Sequence, residues 1–164
     1  MALSHLGRYE EAEKALPGLR ALSAGPDQAM DRVRLCWLAG RIAGGLGRTA
    51  EGIAALSRAR AELAAVPLRY DEALVSMELA GLYLEQGRTA EVKELVQRME
   101  PVFLDECVHE EAQKALALFR RAVELEAVTL DLVRRLVVYL FRAQYNPELR
   151  FAAPAGAWEP DAAA

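Results

Sequence analysis

The sequence predicts an all-α fold, a solenoid of helical hairpins with about four repeats, the first of them truncated. Three observations predict it. A Gly-Arg-x-x-Glu signature recurs at Gly7, Gly47 and Gly87, forty residues apart each time, with Arg8, Arg48, Arg88 and Glu11, Glu51, Glu91 in the same register. Between the copies, apolar residues return at steps of two to four, as a largely buried helix requires, and no alternating strand pattern of useful length appears. Alanine, leucine, glutamate and arginine dominate while aromatic residues make up only 7%, which also leans toward helix.

Each copy of the signature reads as the elbow of a hairpin. Glycine just past a helix can take the left-handed conformation that closes a C-terminus. Thr49 and Thr89, two residues later, can cap the next helix, and Glu51 and Glu91 fall in its first turn, where negative charge is favourable. The fourth copy reads Ala127, Val128, Thr129 and Asp131, in phase but with a degraded turn. Upstream, Asp31, Asp71 and Glu111 share a column of their own.

Taken in order, the first elbow at Gly7 leaves only Leu3 and Leu6 of an inner helix, which reads as the C-terminal portion of a longer protein. Pro17-Gly18 should end or kink the first outer helix. Inner helices are expected over Asp31–Leu46, Ala73–Leu84 and Ala112–Leu125, and outer helices over Thr49–Ala65, Thr89–Phe103 and Thr129–Ala143. Pro26 and Pro67 fall between hairpins, and Pro101 threatens the last turn of its helix. Asn146-Pro147 stops the final helix. The repeat domain thus spans 1–150, and 151–164 (FAAPAGAWEPDAAA from Phe151) reads as a disordered tail.

Composition excludes several classes. A chain of 164 residues with a formal charge of −4 lacks the basic footprint of a nucleic-acid binder. The most apolar window, Leu136 to Phe141 (LVVYLF), is far shorter than the roughly 20 residues a bilayer needs. No basic start followed by an apolar run marks a secretory signal. Cys36 and Cys107 match no zinc spacing or disulfide framework and read as buried free thiols in a reducing compartment. The expected location is cytoplasmic.

The segment GRYEEA at Gly7–Ala12, and ELAGLYLEQGRTAEV with Ala80, Tyr83 and Gly87, resemble the tetratricopeptide repeat, as do Ala39-Gly40 with Gly47. The resemblance covers roughly Leu3 to Leu149 and weakens after Ala127. It implies a right-handed superhelix whose inner helices line a concave surface that holds a peptide or a partner helix. The period of forty exceeds the family's usual value of about 34 and is closer to the long repeats of MalT-like regulators. The alanine expected to open each outer helix is Ala12 in the first unit but Gly52, Val92 and Leu132 later. Armadillo or HEAT repeats, with a period of about 40–47, are the helical alternative. The asparagine and lysine set of a carboxylate clamp is absent.

Carried over by register, the inner-helix positions give Arg34, Trp37 and Arg41, then Leu74, Met77 and Gly81, then Lys114, Ala117 and Arg121. One reading is a groove for an acidic or carboxylate-bearing segment, since arginine pairs bidentately with carboxylate while Trp37 and Met77 offer apolar contact. The other reading pairs these cations with Glu78, Glu85 and Glu124 on a solvated face and packs Trp37 between hairpins. The final helix is apolar on every side. Val137, Leu140 and Phe141 therefore mark either a docking or homodimer surface, or a face covered by the NPELRF segment. Trp158 is either unpaired or a small docking anchor.

Catalytic chemistry is missing from the sequence. His5 and His109 lie in no ligand or triad pattern, no phosphate-binding glycine motif follows a strand, and no metal-type cluster occurs. Gly40, Gly44, Gly45 and Gly47 read instead as close-packing points between helices. The expectation is a non-catalytic protein–protein interaction module without cofactor or metal, belonging to a larger cytoplasmic regulatory or signalling protein. Its partner is a protein or peptide, acidic if the groove reading holds. The alternative is a peptide- or small-molecule-sensing domain of a transcriptional regulator.

Overall fold

Seven helices make up the described chain: α1 (Tyr9–Leu22), α2 (Ala29–Gly45), α3 (Thr49–Leu63), α4 (Arg69–Glu85), α5 (Thr89–Phe103), α6 (Glu110–Glu124) and α7 (Leu130–Ala143). This computed structural model describes residues 7–23, 25, 28–103, 110–146 and 148–152, and no strand occurs among them. The chain is therefore all-α, with helices where the apolar periodicity places them. It divides into two compact units, 1–82 and 83–164, and the division falls inside α4.

Two of the elbows are built alike. Gly47 (φ 76°) and Gly87 (φ 68°) sit in the left-handed region. The Gly47 N–H donates to Gly44 O at 3.0 Å and the Arg48 N–H to Ala43 O at 2.8 Å, while Gly87 and Arg88 donate to Leu84 O at 3.0 Å and Tyr83 O at 2.9 Å. These paired bonds satisfy carbonyls that a helix end would otherwise leave open.

The fourth elbow departs from the expected column. Its left-handed residue is Glu126 (φ 56°), one position before Ala127. Glu126 and Ala127 donate to Val123 O at 3.1 Å and Ala122 O at 2.9 Å, so the same bond pattern closes α6 one residue early. The extra residue lets Thr129 take an extended backbone, and its hydroxyl accepts from Leu132 N–H at 3.2 Å. Thr49, by contrast, is already helical and Arg48 stands at the cap with no side-chain cap bond, so the expected threonine cap is absent there.

The arginine and glutamate columns have a separate cause. Arg8 meets Glu11 at 2.5 Å, Arg48 meets Glu51 at 3.7 Å and Arg88 meets Glu91 at 2.7 Å. Each pair ties the residue before a helix to its first turn, where the carboxylate also faces the positive end of the dipole. The first two pairs are exposed and the third is half-buried, so each stabilises the fold only modestly.

In the first unit α1 packs on α2 and α2 on α3. Ala12 and Leu16 from α1 join Leu38 and Ile42 from α2 in one core cluster, with Leu35, Ala39 and Leu46 against it. The backbones of α2 and α3 come close. A Cβ on Gly52 would lie 3.1 Å from both Gly40 O and Gly44 N and 2.8 Å from a Leu82 methyl, so glycine is required there. This is why Gly52 replaces the alanine expected in that column. Gly45 meets the Tyr9 ring, and Gly44 meets Leu82.

In the second unit α5 packs on α6 and α6 on α7. Val92, Leu95, Val96 and Met99 of α5 are buried, as are Ala115, Leu116, Phe119 and Val123 of α6. Neither proline ends its helix: α1 continues through Pro17, and α5 continues through Pro101 to Phe103. Pro17 and Gly18 are exposed, where water can satisfy the carbonyl one turn back that proline leaves unbonded.

Candidate functional site

The groove residues of the first unit are mostly interior. Trp37 is 3% and Met77 0% exposed, and Leu74 and Gly81 are also buried, because α4 is apolar on nearly every side and its neighbours cover it. Arg41 lies in this interior too. Its guanidinium forms a two-pronged pair with Glu78 of α4, Nε to Oε2 at 3.1 Å and Nη2 to Oε1, with side chains 8% and 7% exposed. The guanidinium carbon also stands 5.6 Å from the Trp37 ring centre. Burial pushes the Glu78 carboxyl above its ordinary 4.5, against the pull of Arg41 and a smaller hydrogen-bond contribution from Trp37. Trp37, Arg41 and Met77 thus present no open surface for a ligand.

Arg34 alone of that set is exposed, and its contact with Asp31 is loose at 3.9 Å. Desolvation raises the carboxyl of Asp71 on α4, and the charge of Arg34 partly offsets it. Lys114, Ala117 and Arg121 belong to the second unit and are exposed on α6. Arg121 reaches Glu124 at 3.4 Å. Arg41 and Arg121 share a sequence column yet occupy opposite environments.

The final helix sorts its apolar residues more cleanly than expected. Leu132, Val133, Leu136, Tyr139, Leu140 and Ala143 form one buried face. Leu140, expected on a docking surface, is only 2% exposed and faces the interior. Val137 and Phe141 are half-buried, whereas Val138 is 36% and Tyr145 84% exposed. Part of the helix is covered by the segment that follows. The Tyr139 ring stands 5.2 Å from Phe151, and its hydroxyl donates to Leu149 O at 3.4 Å.

Between α7 and residues 149–152 runs an open cleft of about 370 Å³. Its floor is apolar, made by Val138, Tyr139, Leu149 and Phe151, and its rim carries Arg134, Arg135, Arg142 and Arg150. Arg134 meets Glu85 at 3.0 Å and Arg135 meets Asp131 at 2.8 Å. Arg142 has no ion-pair partner among the described residues. The sequence reading missed this rim. The available signal was the recurrence of Arg135, Val138 and Arg142 at helical spacing, which places cations and an apolar residue on one stripe.

Other candidates carry little chemistry. Cys36 is a free, half-buried thiol that donates to Ala55 O at 3.3 Å, and burial pushes its pKa up, away from the reactive thiolate. Among the described residues no group of His, Cys, Asp and Glu is placed to hold a metal ion, and no helix is long and apolar enough to cross a membrane. His5, Cys107, His109 and Trp158 lie outside the described residues. No protein-family model, curated protein or solved structure matches the chain.

Proposed function

We propose that the chain is a non-catalytic protein–protein interaction module of tetratricopeptide-like helical hairpins. The observation that supports this most is the recurrence of one elbow. The same pair of closing hydrogen bonds, at Gly47, Gly87 and Glu126, ends an inner helix and opens an outer one. A chain that repeats a single supersecondary unit buries apolar faces between neighbours and presents the remaining faces to other molecules.

In this reading the exposed members of the inner-helix columns, Arg34, Lys114 and Arg121, contact the partner. Trp37, Arg41, Met77 and Gly81 act from within by fixing the helices that carry such residues. The partner is a protein or peptide segment with carboxylates to meet the cations.

Affinity capture from the source cells with amine-reactive cross-linking tests it. A partner cross-linked at Lys114, and lost in Arg34→Glu/Arg121→Glu while helicity by circular dichroism is unchanged, is the expected result. Capture that yields no partner at all, with the chain folded, would sink the module reading.

A further inference from the structure

One side of α1 is open where the same side of the other outer helices is closed. Shifted by the forty-residue period, Leu19 corresponds to Ala59, Met99 and Tyr139, which are all buried, yet Leu19 is 37% and Leu22 75% exposed. The helical period sets Ala15, Gly18, Leu19 and Leu22 on this side, next to the side through which Ala12 and Leu16 meet α2. All four are exposed. In the same unit, α3 carries the exposed charges Arg58 and Glu62 where α1 has Gly18 and Leu22. Gly18 is not required by the chain's own packing, since a Cβ there would meet nothing within 4 Å. Glycine nonetheless weakens a helix interior, and its use is to let another backbone come close.

The hairpin of α2 and α3 shows what covers that side. The two helices run antiparallel from the Gly47 elbow, with Gly44 beside Gly52, Gly40 beside Leu56, and Cys36 Sγ 3.3 Å from Ala55 O. Ala55 is thus on the side of α3 that takes the inner helix of its own hairpin. Counted back by forty, the matching side of α1 is the one carrying Ala15 and Leu19. The other flank of α1 is already used by the next hairpin, because Tyr9 meets Gly45 and Glu13 pairs with Arg48. As a helix, the six residues before Gly7 would cover about 9 Å, whereas Leu19 lies about 15 Å along α1 from Tyr9. An extended segment would leave its backbone polar groups unpaired against this apolar side, and a helix would not. Leu19 is also larger than its counterpart Ala59, so the incoming helix needs a small residue opposite it.

We propose that the Ala15–Leu19–Leu22 side of α1 receives an amphipathic helix of a partner protein, laid antiparallel to α1 as α2 is to α3, with small residues opposite Leu19. The proposal rests on the interaction-module reading and adds a second surface, separate from the inner-helix columns.

The test uses the full chain and a fluorescein-labelled peptide of the α2 sequence, Ala29–Gly45 with Cys36→Ala, read by fluorescence anisotropy. Saturable binding is expected, at least tenfold weaker in Leu19→Glu, in Leu22→Glu and in Gly18→Arg, which installs the charge that α3 carries at this position. Leu19→Met and Val138→Asp should bind like the wild type. Circular dichroism of each variant checks the fold. Failure of the folded chain to bind, undiminished binding by the two glutamate variants, or equal binding of a scrambled peptide would overturn the proposal. If light scattering finds a wild-type dimer that Leu22→Glu makes monomeric, a second copy is the occupant and the partner assignment falls. It falls likewise if deleting residues 2–6 tightens the peptide tenfold, because the chain's own start then covers the face. These outcomes leave capture through Arg34, Lys114 and Arg121 untouched, so the module reading is judged separately.

Discussion

Arg41 in the first unit and Arg142 in the second are the same residue type on amphipathic helices, and their environments are opposite. Arg41 is enclosed with Glu78 and Trp37, so its charge is answered inside the protein and unreachable from outside. Arg142 stands on the rim of an open cleft with no ion-pair partner among the described residues. A cation in the interior is an architectural device whose loss is felt as stability. A cation on a rim costs the fold little to keep or lose, and its value lies in what it can meet.

That contrast can be broken by substitution, and the largest effect belongs to the interior. Arg41→Met strands a buried carboxylate and should destabilise the chain by about 3–5 kcal/mol in urea titration, whereas Arg41→Met/Glu78→Leu should recover most of the loss. The pH dependence follows from the sign. A carboxyl raised above its ordinary 4.5 by burial contributes most to stability below that value and progressively loses the contribution as pH climbs through its folded pKa. Arg41→Met removes the opposing cation, so its urea midpoint should fall from pH 4 to pH 8 more steeply than the wild type's. A flat profile would mean that Glu78 stays well solvated.

Next in size is Gly52→Ala, where the new methyl meets the α2 backbone. Overpacking of this kind should cost about 1–3 kcal/mol, with thermal unfolding as the readout. Gly87→Ala places an ordinary residue at φ 68° with open space around it, so only conformational strain of about 1 kcal/mol is expected. Smallest is Arg142→Met, which should shift stability by no more than about 0.5 kcal/mol in the same urea titration. A large stability loss there would erase the distinction between the two cations.

Much of the fold was legible because it is written in local chemistry. Gly47 and Gly87 announce left-handed closures, and the apolar steps between them announce helices. The failures were those where a neighbour decides. Glu126 takes the turn position ahead of Ala127 because the closing bonds to Ala122 and Val123 arrive one residue earlier, and nothing in the column spacing foretells it. Pro17 remains helical because that side of α1 is exposed. For the candidate site, the register of Arg41 and Arg121 was readable but their burial was not, since α4 covers one and no described side chain encloses the other. LVVYLF resolved into a buried face plus Val138 once the helical period and the overlying Leu149 and Phe151 were in place.

Glu126 has a consequence for how the chain can change over generations. It holds a backbone conformation that disfavours it, and its carboxylate is also the one Lys93 reaches across from α5. A mutation to glycine would relieve the first condition and cut the second, so the two effects partly cancel in the present background. In a background that has already lost Lys93, the same mutation would bring only relief. The order in which these two positions mutate would then determine which intermediate is tolerated, a small case of epistasis set by one elbow.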